Sequence, residues 1–236
     1  MSNSEHTMNG STNILMLISV WALPLPIAIT FHEAAHGFAA RLFGDDTAYL
    51  LGRVSLNPLK HIDPFGTVLL PGMLLLTHSP FMFGYAKPVP VKFSALRRPR
   101  LGMACVAAAG PLMNMALALV AAFGFHFIAY LPPASAQFLA LNLKNALIVN
   151  AVLAVFNLFP IPPLDGGRIA VAVLPNFLGR PLARLEPFGM LILITLLFLL
   201  PLLGSQIGYN LNVASQAISQ GAQAIIRAVL HLTGNA

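Results

Sequence analysis

The segment FHEAAHG, residues 31–37, sets two histidines four positions apart, with a glutamate beside the first, inside an otherwise apolar run. On a helix, positions i and i+4 share one face a turn apart, so the imidazoles of His32 and His36 can reach a single metal ion. Glu33 then stands next to the first ligand. There it can take a proton from a water that zinc acidifies to a pKa of about 7 and pass it on to a leaving amine. The competing explanation is a chance match or a satisfied polar cluster in a core. Its weakness is energetic: one ionisable side chain at the centre of a membrane helix costs roughly 2.5 to 3.5 kcal/mol even on the lenient insertion scale. Three of them within five residues need a compensating partner, and a metal supplies it.

A catalytic zinc takes three protein ligands and keeps one position open. The chain has seven acidic residues from which the third could come, and most of them fall in loops. Asp165 is the exception, closing the stretch NLFPIPPLD at the end of a long apolar run and preceding Gly166 and Gly167. The prolines free backbone carbonyls, which a membrane tolerates only where that backbone lines a cavity or is buried by protein, so a cleft is implied. Asp165 would serve equally as the N-cap of a following helix, with the glycines as an ordinary turn. The residues by themselves leave both roles open.

His32-Glu33-x-x-His36, followed over a hundred residues later by Asn157-x-x-Pro160-x-Pro162-x-Leu164-Asp165-Gly166, resembles the paired signature of the site-2 protease family of intramembrane zinc metalloproteases. The resemblance implies His32, His36 and Asp165 as ligands of one zinc per chain and Glu33 as general base. The family's G-P-x-x-N element corresponds to Gly110-Pro111-Leu112-Met113-Asn114. Its asparagine, like Asn157, is implied in placing substrate or polarising the scissile carbonyl. For Asn114 an interhelical hydrogen bond beside Gly110 and Ala109 is the alternative. GRVSLNPLKHIDPFGT and AKPVPV resemble the compact prokaryotic branch, and the likeness covers about residues 25–175. Many relatives carry a PDZ domain between the G-P-x-x-N and L-D-G helices, where this chain has only a few residues. The implied substrate is a membrane protein with a transmembrane helix, cleaved in a prokaryotic inner membrane nearer its cytoplasmic side.

The elements that must position these residues follow from hydropathy. The chain of 236 residues is 57% hydrophobic and 8% charged, with a mean hydropathy of +0.79. That is far from a soluble domain. Apolar runs at 14–43, 65–84, 101–131, 138–160 and 188–203 are each candidates to cross a bilayer, which needs roughly 20 apolar residues. The expected fold is a single all-α membrane domain of about five to six transmembrane helices, with a catalytic core over about 14–175 and C-terminal helices over about 186–232. The tail from Ser205 spans or lies at the interface. LLGRVSL, residues 50–56, alternates enough to form a short β-strand, which could capture an unwound substrate by strand addition.

Charge sets the topology. The net charge of +6 sits in short gaps between apolar runs, so it reads as a positive-inside signal and not as a nucleic-acid surface. The densest basic stretch, YAKPVPVKFSALRRPR, marks a cytoplasmic loop; Arg97, Arg98 and Arg100 read as topogenic. His32, His36 and Asp165 must meet at that same side. Loop 44–64 is then cytoplasmic as well, and 65–84 is expected to be a re-entrant hairpin turning near Pro71 and Gly72. Cys105 is the single cysteine and reads as a packing residue; His61 reads as a loop residue outside the metal shell. A membrane metal-binding or ion-transport protein would use the same His/Asp cluster, but the ionisable residues gather at one depth and do not repeat in two halves. Oligomeric state is not legible.

Overall fold

The computed structural model describes residues 16, 19–61, 63–69, 73 and 87–235. All regular structure among them is helical. Helix α1, Pro24–Leu42, opens on a proline that suits the first helical turn and closes before Gly44, whose φ of 100° reverses the chain. Helix α2, Pro99–Gly124, continues through tighter turns to Tyr130. Helix α3, Pro133–Asn157, returns antiparallel to it. The short α4, Asp165–Val173, and α5, Asn176–Ala183, lead into α6, Gly189–Ile194. A wider π-helical turn over Thr195–Leu199 then joins α6 to α7, Leu200–Gln206. Helix α8, Val213–Leu232, closes the chain.

Three stretches are long and apolar enough to cross a bilayer: Pro99–Tyr130 with 32 residues, Pro133–Asn157 with 25 and Asn176–Gln206 with 31. Leu112, Val120, Phe123 and Phe127 are each more than half exposed. An apolar surface of this extent suits lipid and not water. Inside, small residues let the helices approach: Ala118, Ala121 and Ala122 of α2 meet Leu147 of α3 and Val229 of α8 in one buried cluster. Helix α1 packs across α2 and α3, and α4 lies along α2. The donor Asn145 Nδ2 reaches the Val20 carbonyl at 3.1 Å and ties α3 to the entry of α1.

One expectation changes here. The described residues contain no β-strand. LLGRVSL instead makes a turn at Gly52, with φ of 64°, and then continues without regular structure to a bend at Leu56. The extended segment beside it, residues 87–92, carries prolines at 88 and 90, which have no N–H to donate. Within the run 14–43, the described helix α1 carries His32, Glu33, His36 and Arg41 and is not among the three apolar spans of the described residues. Helix α8 likewise falls outside them. The expected hairpin over 65–84 lies mostly outside the described residues.

Candidate metal centre

Helix α1 brings His32 and His36 to one face, both buried, with their Nε2 atoms 3.1 Å apart and the rings nearly perpendicular at 88°. Each ring is held from behind. His36 Nδ1 lies 2.7 Å from the Val106 carbonyl on α2, an acceptor only, so Nδ1 carries the hydrogen and, in the neutral ring, Nε2 a lone pair. His32 Nδ1 lies 2.6 Å from Asn114 Oδ1. The orientation of that amide is fixed by its neighbours: Asn114 Nδ2 donates to the Ala28 carbonyl at 3.2 Å and to Asn150 Oδ1 at 2.8 Å. Asn150 Nδ2 in turn donates to the Ala146 carbonyl at 2.8 Å. The donors therefore run one way, Asn114 presents oxygen to His32, and the His32 Nε2 lone pair also points inward.

Asp165 supplies the third atom. It is the first residue of α4, where the free N–H groups of the helix favour a negative charge. The N-cap position itself is Leu164, whose side chain makes no capping bond. Asp165 Oδ2 lies 3.3 Å from each of the two Nε2 atoms, buried and without a hydrogen-bond partner. The loop before it folds back so tightly that a Cβ on Gly166 would sit 2.1 Å from the Leu158 carbonyl oxygen, which explains why glycine follows the aspartate. At the other end of α4, Arg100 donates to the carbonyls of Ala172, at 3.0 Å, and Leu174. That arginine, read from sequence as topogenic, thus also fastens the aspartate helix to α2.

Three lone-pair atoms facing one another at 3.1 to 3.3 Å repel unless a cation lies among them. Tetrahedral zinc with bonds of about 2.0 to 2.1 Å spaces its ligands about 3.3 Å apart, so the donor set and its size fit zinc. Space for the group is kept by Gly110: a Cβ there would meet His32 Cε1 and His36 Nε2, each at 2.5 Å. The glycine of G-P-x-x-N is thus the wall of the site, and Pro111 beside it withholds one N–H from the helix ladder.

The remaining sequence candidates are placed as follows. Glu33 is half-buried and its Oε2 accepts a hydrogen bond of 2.8 Å from the Val89 amide. Asn114 is fully buried, with its amide committed to His32, Ala28 and Asn150; of the two sequence readings, its bonds match interhelical locking. Asn157, half-buried at the end of α3, donates to the Leu153 carbonyl at 3.0 Å. His61 is buried in its loop, with Nε2 donating to the Ser55 carbonyl at 2.8 Å. Asn150, the Val106 carbonyl and the Val89 amide were missed from sequence. Of these only Asn150 left a signal, a polar side chain in the middle of an apolar span.

A buried His/His/Asp group of this kind, built on HExxH between apolar helices, defines a membrane-embedded zinc hydrolase. Residues 133–202 match the model of peptidase family M50. The chain is 34% identical over 92% of its length, and 96% of the relative's, to YwhC of Bacillus subtilis (strain 168), a protein provisionally named a zinc metalloprotease. Proteins called Rip2, under the same provisional description, match at 32%: that of Mycolicibacterium smegmatis over 78% of this chain and 66% of its own length, and that of Mycobacterium tuberculosis (strain H37Rv) over 80% and 68%. No solved structure matches significantly. The chain belongs to peptidase family M50, the site-2 proteases, and is a zinc metalloprotease with membrane-spanning helices.

Proposed function

We propose that this chain hydrolyses peptide bonds within or next to the transmembrane segments of other membrane proteins, with His32, His36 and Asp165 holding one zinc and Glu33 as general base. The observation that carries this reading is the convergence of His32 Nε2, His36 Nε2 and Asp165 Oδ2 on one buried point. The acceptors behind the two rings, the Val106 carbonyl and Asn114 Oδ1, take the Nδ1 hydrogens, so both Nε2 atoms, like Asp165 Oδ2, offer lone pairs. Zinc held there acidifies water and polarises a carbonyl. Glu33 follows His32 directly in α1. Among the described residues its Oε1 has no hydrogen-bond partner, so that oxygen is the one to take a proton from the attacking water and return it to the departing amine. Asn114 and Asn150 keep His32 in the required tautomer, while Asn157, at the mouth of the L-D-G loop, contacts the substrate backbone.

The finer architecture belongs to the same proposal. The whole chain is a single domain, a bundle of about five to six transmembrane helices in which α1 and α8 add to the three apolar spans. The membrane is the inner membrane of a prokaryote, with the site nearer the cytoplasmic face that carries the basic loop. Cleavage of a detergent-solubilised transmembrane peptide, abolished by a zinc chelator and restored by added zinc, tests the activity. Failure to cleave any helical membrane peptide with zinc bound would overturn it.

A further inference from the structure

The segment Lys87-Pro88-Val89-Pro90-Val91-Lys92 passes alongside α1, meeting it at Glu33 and Gly37. Each residue that precedes a proline is held extended, so Lys87 and Val89 have little conformational choice. With prolines on both sides, Val89 offers the one N–H between Lys87 and Val91, and that donor goes to Glu33 Oε2 at 2.8 Å. The segment is pinned at both ends. Lys92 N–H donates to Asp45 Oδ2 at 2.6 Å, just beyond the end of α1. Lys87 N–H donates to the His61 carbonyl at 2.9 Å. Arg53 clasps the two strands of chain there, donating from one nitrogen to the Lys87 carbonyl at 3.0 Å and from the other to the Lys60 carbonyl. The close approach is made at Gly37, where an added Cβ would lie 2.8 Å from Val54 Cγ2 and 3.2 Å from Val89 Cγ1.

We propose that residues 87–92 form a rigid brace that holds Glu33 in place for proton transfer, and that Arg53 is a positioning residue acting on Glu33 through it. This rests on the reading of Glu33 as general base. The brace fixes one carboxylate oxygen and thereby aims the other, so the carboxylate does not sample rotamers that face away from the zinc site. Arg53 reaches two carbonyls on separate segments, a task suited to the forked guanidinium and only half met by lysine. The sequence K-P-V-P-V is then explained as a backbone device: stiff, extended, and with a single donor at the position that meets the base.

The test uses the full-length zinc enzyme in detergent and a transmembrane peptide substrate, with rates expressed per bound zinc. Val89 is replaced by its α-hydroxy acid, which turns the amide into an ester and deletes the N–H while keeping the side chain. Arg53→Ala and Arg53→Lys are made alongside. Loss of a hydrogen bond to a charged group predicts a fall in kcat of about tenfold to a hundredfold for the ester. KM and zinc content should stay within about twofold. Arg53→Ala should follow the ester, Arg53→Lys should recover part of the loss, and combining the ester with Arg53→Ala should cost no more than the larger single change. An ester variant with unchanged kcat overturns the brace, and so do losses that multiply in the double variant. The ester result stands even if Arg53→Ala fails to fold. Glu33→Gln made in parallel separates the two claims: full activity there overturns the general-base reading, whereas an inactive Glu33→Gln with an unaffected ester overturns the brace alone.

Discussion

Replacing Gly110 with alanine adds one methyl group at the most confined point of the metal centre. The new carbon would lie 2.5 Å from His36 Nε2, 2.5 Å from His32 Cε1 and 2.6 Å from His36 Cε1. Ordinary contact between such atoms needs about 3.5 Å, so both rings must retreat by about 1 Å. Neither can do so freely, because His36 is tied to the Val106 carbonyl and His32 to Asn114 from behind. Zinc ligation tolerates about 0.2 Å of error in each bond. A displacement several times larger at two of three ligands should cost more than the 10- to 100-fold in affinity typical of losing an outer-shell partner. We therefore expect Gly110→Ala to bind zinc at least about 100-fold more weakly and to lose activity in proportion, while circular dichroism reports the same helix content. The assay is zinc retained after dialysis against graded chelator buffers. Wild-type retention by Gly110→Ala would refute the placement of the metal against this wall.

Other consequences are smaller in scope. Asn114→Ala removes the acceptor that sets the His32 tautomer and should weaken zinc about 10- to 100-fold by the same dialysis assay; Asn150→Ala, one step further back, should weaken it less. Arg100→Gln should loosen α4 from α2 and lower the thermal midpoint by an amount corresponding to about 1 to 3 kcal/mol, since charge-assisted bonds to two carbonyls are lost. Asp45 offers a pH test. Burial by itself would raise its carboxyl, but the bonds from Thr47 and Lys92 outweigh that and hold it below its ordinary value near 3.8. A carboxyl depressed on folding stabilises fully above its unfolded value and loses that contribution as pH falls through its folded value. The melting difference between wild type and Asp45→Asn should therefore be constant from about pH 5 to 7 and shrink below about pH 4. A difference that grows on acidification would contradict the assignment.

How much of this could be seen in the sequence depends on how local each signal is. HEAAH is a local pattern, and helix periodicity alone aligns His32 with His36. Asp165 is remote, and its residues allowed a helix cap as readily as a ligand; the family signature pointed to the ligand role, and the fold sets its Oδ2 3.3 Å from both Nε2 atoms. Asn114 was visible as a motif, but its attachment to His32 joins residues on different helices and depends on how α1 packs against α2. The strand expected at LLGRVSL failed because alternation describes one segment and a ladder needs two. The neighbouring segment had given up its donors to prolines. The Val89 amide left no trace at all, since every non-proline residue carries the same group and only its position opposite Glu33 distinguishes it.

Zinc content and peptide cleavage measured side by side in wild type, Glu33→Gln and Asp165→Ala separate holding the metal from moving the proton. Wild type should hold one zinc per chain and cleave, Glu33→Gln should hold the same zinc and not cleave, and Asp165→Ala should lose both. Asp165→Ala that keeps zinc and activity would contradict the three-ligand centre, and cleavage by Glu33→Gln at the wild-type rate would contradict the role of the glutamate.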